Sequence, residues 1–206
     1  VSSGMLIRTF TGHKGRILDI SFSSSGDTLA SSGIDRTIRL WNTNSGNKIA
    51  AFRDDDFYPS SAYIHPHSRI VFSAGSSGDE GNIKIWDIVT GNAIFKLRRY
   101  NPVDELCFAA DGKTFATAEN SNEINIWGIE FDKPEPKSGL KAGDEVITSI
   151  DMTPDGKLLA AKDEDNSITL FDVEKSRKIN EFEGYSEDIK ISDDGRTLAT
   201  TEDDMK

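Results

Sequence analysis

Four times along the chain an apolar–polar–apolar stretch runs into an aromatic residue. The copies are Thr37-Ile38-Arg39-Leu40-Trp41-Asn42, Asn82-Ile83-Lys84-Ile85-Trp86-Asp87, Glu123-Ile124-Asn125-Ile126-Trp127-Gly128 and Ser167-Ile168-Thr169-Leu170-Phe171-Asp172. Their aromatics lie 45, 41 and 44 residues apart. A second landmark keeps step with the first: Ser25-Gly26-Asp27 returns as Asp111-Gly112-Lys113, Asp155-Gly156-Lys157 and Asp194-Gly195-Arg196, with His67-Ser68-Arg69 in the remaining slot. A period of this length means one supersecondary unit repeated, and such units bury their apolar faces on one another.

Inside each period the apolar residues recur every second position, the strand signature. In the first unit Ile17, Leu18, Ile20 and Phe22 lead into a turn, Leu29-Ala30-Ser31 follows, and Asp35-Arg36 turns into Ile38, Leu40 and Trp41. Asn44-Ser45-Gly46 then turns into Ile49-Ala50-Ala51-Phe52. Four short strands with Gly, Asp, Asn and Ser between them, repeated every 40–45 residues, predict an all-β chain. The architecture expected is a β-propeller of four-stranded antiparallel blades, about four complete and part of a fifth. The predicted limits are an outer strand at 6–10 and blades at 11–52, 53–97, 98–142 (with a Pro-containing loop at 131–139), 143–183 and, in part, 184–206. The fifth unit begins near Tyr185, with an inner strand through Ile189 and Ile191, a turn at Asp193-Asp194-Gly195 and a second strand through Leu198-Ala199-Thr200. Its third strand is expected after Glu202-Asp203-Asp204. Seven such blades need roughly 300 residues, so a larger propeller is expected, completed by further chain or by another polypeptide.

The chain resembles WD-repeat proteins over essentially its whole length. The residues that carry the resemblance are Thr11-Gly12-His13 at the head of a unit, Trp41-Asn42 at its end and the literal Trp86-Asp87. The resemblance implies a buried hydrogen-bonded set of a loop His, a strand Ser or Thr, a turn Asp and the Trp. Here His13, Ser31, Asp35 and Trp41 make it complete in one unit only. Glu80, Ser121 and Asp165 stand where Asp35 does, six residues before the aromatic, Gly143 takes the His place in the fourth unit, and Phe171 lacks the indole N–H. Later blades are therefore expected to lean more on apolar packing. The resemblance also implies a narrow face, lined by residues just before each inner strand and just before the tight turn. These are Lys14, Arg16 and Ile34 in the first unit, Asp56, Tyr58 and Asp79 in the second, Tyr100, Pro102 and Asn120 in the third, and Asp144, Val146 and Glu164 in the fourth. Among them Tyr58 and Tyr100 have the character of interface anchors, because aromatics beside charges dominate protein contacts.

Charge narrows the function classes. The net charge is −11, with residues 1–103 at +3 and residues 104–206 at −14. A nucleic-acid-binding domain needs a basic face, so nucleic acid is not the expected partner. No run of about 18 apolar residues is available for a membrane helix. A single cysteine, Cys107, excludes an internal disulfide and zinc sites built on several thiolates, and fits an intracellular setting, cytoplasmic or nuclear. It falls on the predicted inner strand Val103–Phe108, where a small buried residue is the plain reading.

No catalytic residue, metal site or cofactor is predicted. His65 and His67 flank Pro66 without a third ligand in view. Gly75-Ser76-Ser77-Gly78 lacks the lysine of a phosphate loop, and no nucleophile elbow is present. Asp54-Asp55-Asp56 reads as a solvated run. Pro134 and Pro136, among Lys133, Glu135 and Lys137, read as a slack or partner-binding loop. The function expected is a non-catalytic protein–protein interaction scaffold in a larger protein or complex. The alternatives are a reader of a peptide or modified ligand at the channel mouth, which needs Tyr58 and Tyr100 to converge as a cage, and a propeller enzyme.

Overall fold

The computed structural model describes residues 5–66, 69–119, 121–130, 133–184, 188–192 and 194–201. The alternating pattern becomes eighteen strands, and every described element of regular structure is a strand. The first sheet is β1 (Ile17–Phe22), β2 (Thr28–Gly33), β3 (Thr37–Asn42) and β4 (Lys48–Arg53). The second is β5 (Tyr58–Ile64), β6 (Ile70–Ser77), β7 (Glu80–Asp87) and β8 (Ala93–Arg99). The third is β9 (Val103–Phe108), β10 (Thr114–Glu119), β11 (Glu123–Glu130) and β12 (Lys133–Lys141). The fourth is β13 (Ile147–Met152), β14 (Leu158–Asp163), β15 (Ser167–Asp172) and β16 (Arg177–Glu183). A fifth sheet holds β17 (Ile189–Ile191) and β18 (Leu198–Thr200). Each sheet is an antiparallel meander in chain order.

The turn between the first two strands of a unit requires a left-handed residue. Glycine supplies it at Gly26, Gly112, Gly156 and Gly195, with φ between 67° and 72°; any other residue there pays for the clash of its Cβ. A second repeated device sits on the third strand. The pairing with the fourth strand slips by one residue between Leu40 and Trp41, Ile85 and Trp86, Ile126 and Trp127, and Leu170 and Phe171. A bulge at the same place in every complete sheet adds local twist.

The sheets pack face to face in sequence, with β1 against β5, β5 against β9, β9 against β13 and β13 against β17. Each contact repeats one recipe. Leu40, Phe52, Ile64 and Val71 enclose Trp86; Ile85, Phe108 and Phe115 enclose Trp127; Ile126, Leu140, Met152 and Leu159 enclose Phe171. The signature aromatic of one sheet is thus covered by the sheet before it. Burying such a side chain is worth roughly 1.5–3 kcal/mol, which is why these units stand only as a stack.

Two expectations are corrected. Residues 6–10 form no strand; Leu6 and Ile7 are exposed, and the segment is held by Phe10 against Trp41, with ring centroids 5.8 Å apart, and by Arg8 on the carbonyls of Asn44 and Ser45. A strand needs a partner ladder, and none of the described residues offers one to this segment. The expected loop at 131–139 is, over its described residues, part of β12, which pairs with β11 from Lys133 to Lys141. β12 is the outer edge of its sheet, and there a proline turns its missing N–H outward without losing a ladder bond.

Candidate interaction face and channel

The end of the first unit is tied by a continuous hydrogen-bond chain. The Trp41 indole N–H donates to Ser31 Oγ at 2.9 Å, and Ser31 Oγ lies 2.8 Å from His13 Nε2. His13 Nδ1 lies 3.0 Å from Asp35. Asp35 also accepts from Thr37 Oγ1 at 2.7 Å and from the Lys14 backbone N–H at 2.8 Å. Burial works to raise the Asp35 pKa, but the bonds from Thr37, Lys14 and His13 outweigh it and hold the carboxyl well below its usual range. The four residues expected as a set are therefore one network.

The other units keep more of this device than the sequence suggests. Trp86 donates to Ser73 Oγ at 2.8 Å and Trp127 to Thr117 Oγ1 at 3.0 Å. In the third unit Arg99 takes the histidine's part: it pairs with buried Glu119 at 2.5 Å and lies over the Trp127 ring at 5.1 Å. Asn125 donates to the same carboxylate at 3.0 Å. In the second unit buried Lys84 pairs with Asp54 and lies 4.4 Å from the Phe57 centroid. Asp54 is thus an ion-pair partner, against the reading of 54–56 as merely solvated; the lysine two residues before Trp86 is the cation that needs it. A signal for Arg99 was present in the chain, since it precedes Trp127 by 28 residues as His13 precedes Trp41.

The residues assigned to the narrow face fall on two sets of loops, those entering each inner strand and those joining the second strand of a sheet to the third. Ile34 N–H donates to the Arg16 carbonyl at 3.0 Å, and Glu164 N–H to the Val146 carbonyl at 3.0 Å, joining the two loop sets directly. Lys14, Arg16, Ile34, Asp56, Tyr58, Asp79, Tyr100, Asp144 and Glu164 are exposed, whereas Pro102 and Val146 are half-buried. Asn120 lies outside the described residues. Tyr100 is 94% exposed. Tyr58 is engaged: Arg36 donates to its hydroxyl at 2.6 Å and covers one face of its ring at 4.6 Å.

The inner strands converge on a cavity of about 180 Å³ lined by Asp19, Tyr63, Glu105, Cys107, Asp151 and Lys190. Burial, and then the charges of Asp19 and Asp188, push the Glu105 carboxyl up to about 8. Burial also pushes the Cys107 thiol upward, away from the thiolate that nucleophilic chemistry needs. His65 Nε2 lies 3.0 Å from the Gly112 carbonyl, and His67 lies outside the described residues. Among the described residues no group of three or more His, Cys, Asp or Glu is placed to hold a metal ion.

A family model described as "WD domain, G-beta repeat" matches residues 4–42, and one described as "Anaphase-promoting complex subunit 4 WD40 domain" matches residues 137–194. Pre-mRNA-processing factor 17 of Homo sapiens is 27% identical over 186 residues, 87% of this chain and 31% of that protein. The chain carries WD repeats. Two further likenesses are Pre-mRNA-processing factor 19 homolog 2 of Arabidopsis thaliana, 23% identical over 99% of this chain and 39% of its own length, and Target of rapamycin complex subunit wat1 of Schizosaccharomyces pombe, 24% identical over 84% and 56%. The WD-repeat chain described here spans about a third of the length of the first curated relatives it matches.

Proposed function

We propose that this WD-repeat chain is a non-catalytic scaffold that docks other proteins within an intracellular multi-subunit assembly, cytoplasmic or nuclear. The observation that carries the reading is the set of loops entering the inner strands and joining second to third strands, where Ile34 and Tyr100 stand out from a frame that backbone hydrogen bonds tie together. Loops on a rigid scaffold are where binding concentrates, and an exposed aromatic beside charge is the usual anchor. Relatives whose names denote pre-mRNA-processing factors and a subunit of a larger complex support the same reading. A channel-mouth cage is less well supported, because Arg36 already occupies one face of Tyr58.

The test is affinity capture of the protein from its native cells, comparing the natural chain with an Ile34→Ser/Tyr100→Ala variant of unchanged circular dichroism. The expected result is a defined set of co-purifying proteins that the variant loses. Recovery of the same set by both chains contradicts the assignment of the face.

A further inference from the structure

The cavity between the inner strands is built in two tiers. Asp19, Ser61, Glu105 and Ser149 form one: each is the first residue past the slip in the pairing of its inner strand with the second strand. Two residues on, Ser21, Tyr63, Cys107 and Asp151 form the other. Most of these side chains reach the next sheet. Asp19 accepts from the Ala62 N–H at 3.3 Å, Ser21 donates to the Ala62 carbonyl at 2.7 Å, and Ser149 donates to Asp188 at 2.7 Å. Asp151 accepts from the Ile191 N–H at 2.6 Å and lies 3.5 Å from Lys190 Nζ. Two members of the first tier are left over. Ser61 is 4% exposed, and its Oγ has no partner among the described residues. It shares a face of β5 with Tyr63, which lines the cavity. Glu105 lines the cavity too, and among the described residues it makes no hydrogen bond or ion pair.

The charge of the cavity is unbalanced. Asp19, Glu105 and Asp151 face Lys190, the only cation on its wall among the described residues. Lys190 is shared with Asp151 and Asp188. Asp188 and Asp104 add to the negative potential at Glu105, and its other titratable neighbours, Tyr63 and Cys107, bring no positive charge. The rest of the wall is apolar, from Ile20, Ala62, Leu106, Phe108 and Ile150. The volume is about 180 Å³, and a cavity of about 150 Å³ is enough for a benzene molecule. The guest that fits such a space is a cation on a short hydrocarbon stem. A metal ion does not fit it, since among the described residues no three His, Cys, Asp or Glu are placed to hold one.

We propose that this cavity binds a primary alkylammonium group, either a free amine or the end of a lysine side chain, with Glu105 as its counter-ion and Ser61 Oγ as a second acceptor. An ammonium carries three N–H donors and no acceptor, which suits two oxygens that lack donors of their own. The hydrocarbon stem lies against Leu106 and Ile150. The free protein holds Glu105 protonated up to about pH 8, so below that value the entering ammonium expels the carboxyl proton to solvent. The site is separate from the loops proposed above as a docking surface and does not rest on that reading.

The test titrates the 206-residue protein with n-butylammonium in a calorimeter, at pH 6.5 and pH 9, each in two buffers of different ionisation enthalpy. Saturable binding is expected, with release of about one proton at pH 6.5 and almost none at pH 9. Glu105→Gln, with unchanged circular dichroism, is expected to weaken binding more than about tenfold, the range of a hydrogen bond to a charged group, and to abolish the proton release. Ser61→Ala is expected to weaken binding about two- to tenfold and to keep the release. n-Butanol, with the same stem and no charge, is expected not to bind. A Gly-Lys-Gly peptide separates the two sources: displacement of butylammonium assigns the cavity to a lysine side chain, and failure to displace it assigns the cavity to a free amine. The proposal is overturned by an absence of saturable binding, by equal affinity of the natural chain and Glu105→Gln, by butanol binding as tightly as butylammonium, or by binding at pH 6.5 without proton release.

Discussion

Glu105 ionises far from the range of an ordinary glutamate. It sits half-buried on an inner strand, facing a cavity it shares with Asp19 and Asp151. An ordinary glutamate ionises near 4.5, and this one does so near 8 in the folded chain. Between those values the folded state holds a proton that the unfolded chain has released. Its contribution to stability is therefore complete below about pH 4.5 and lost as the pH rises through about 8. Glu105→Gln removes that dependence. Urea unfolding at pH 8.5 is expected to show the variant more stable than the natural chain by roughly 1–3 kcal/mol, with the gap closing at pH 5. An equal gap at both values contradicts the account. Nothing in the sequence singled Glu105 out, because its neighbours in space, Asp19 and Asp188, come from units far apart in the chain. The network of His13, Ser31, Asp35 and Trp41 was legible for the opposite reason: its spacing is fixed inside one unit.

At the scale of the strand, the repeat was readable almost to the residue. The predicted inner strand Val103–Phe108 is β9, because alternation with a buried face leaves a strand little freedom of register. The failures share one cause. Residues 6–10 were read as strand and residues 133–141 in part as loop, since local pattern does not say whether a neighbouring ladder is present or which edge faces out. β12 shows what an outer edge needs. Pro134 and Pro136 withhold two donors from a row that otherwise invites pairing with other chains. A Pro134→Thr/Pro136→Thr variant restores those donors and β-propensity together. Its onset of aggregation on heating, followed by light scattering, is expected several degrees below that of the natural chain while the circular dichroism at 25 °C is unchanged. An onset at the same temperature or above counts against the edge argument.

Across the whole molecule, stability comes from sheets covering one another, and exposure collects where the series is open. Ile20 and Phe22 are exposed on the first sheet, whereas their register equivalents in the second, Ala62 and Ile64, are buried. Phe182 marks the other end. That the sheets stack was legible from the period. The most direct measurement is amide hydrogen exchange resolved along the chain by mass spectrometry. Strands β6, β7, β10, β11 and β14, enclosed on both sides, are predicted to exchange orders of magnitude more slowly than β17 and β18. Protection of β17 and β18 equal to that of the middle sheets would contradict the claim that the sheets are stabilised by covering one another.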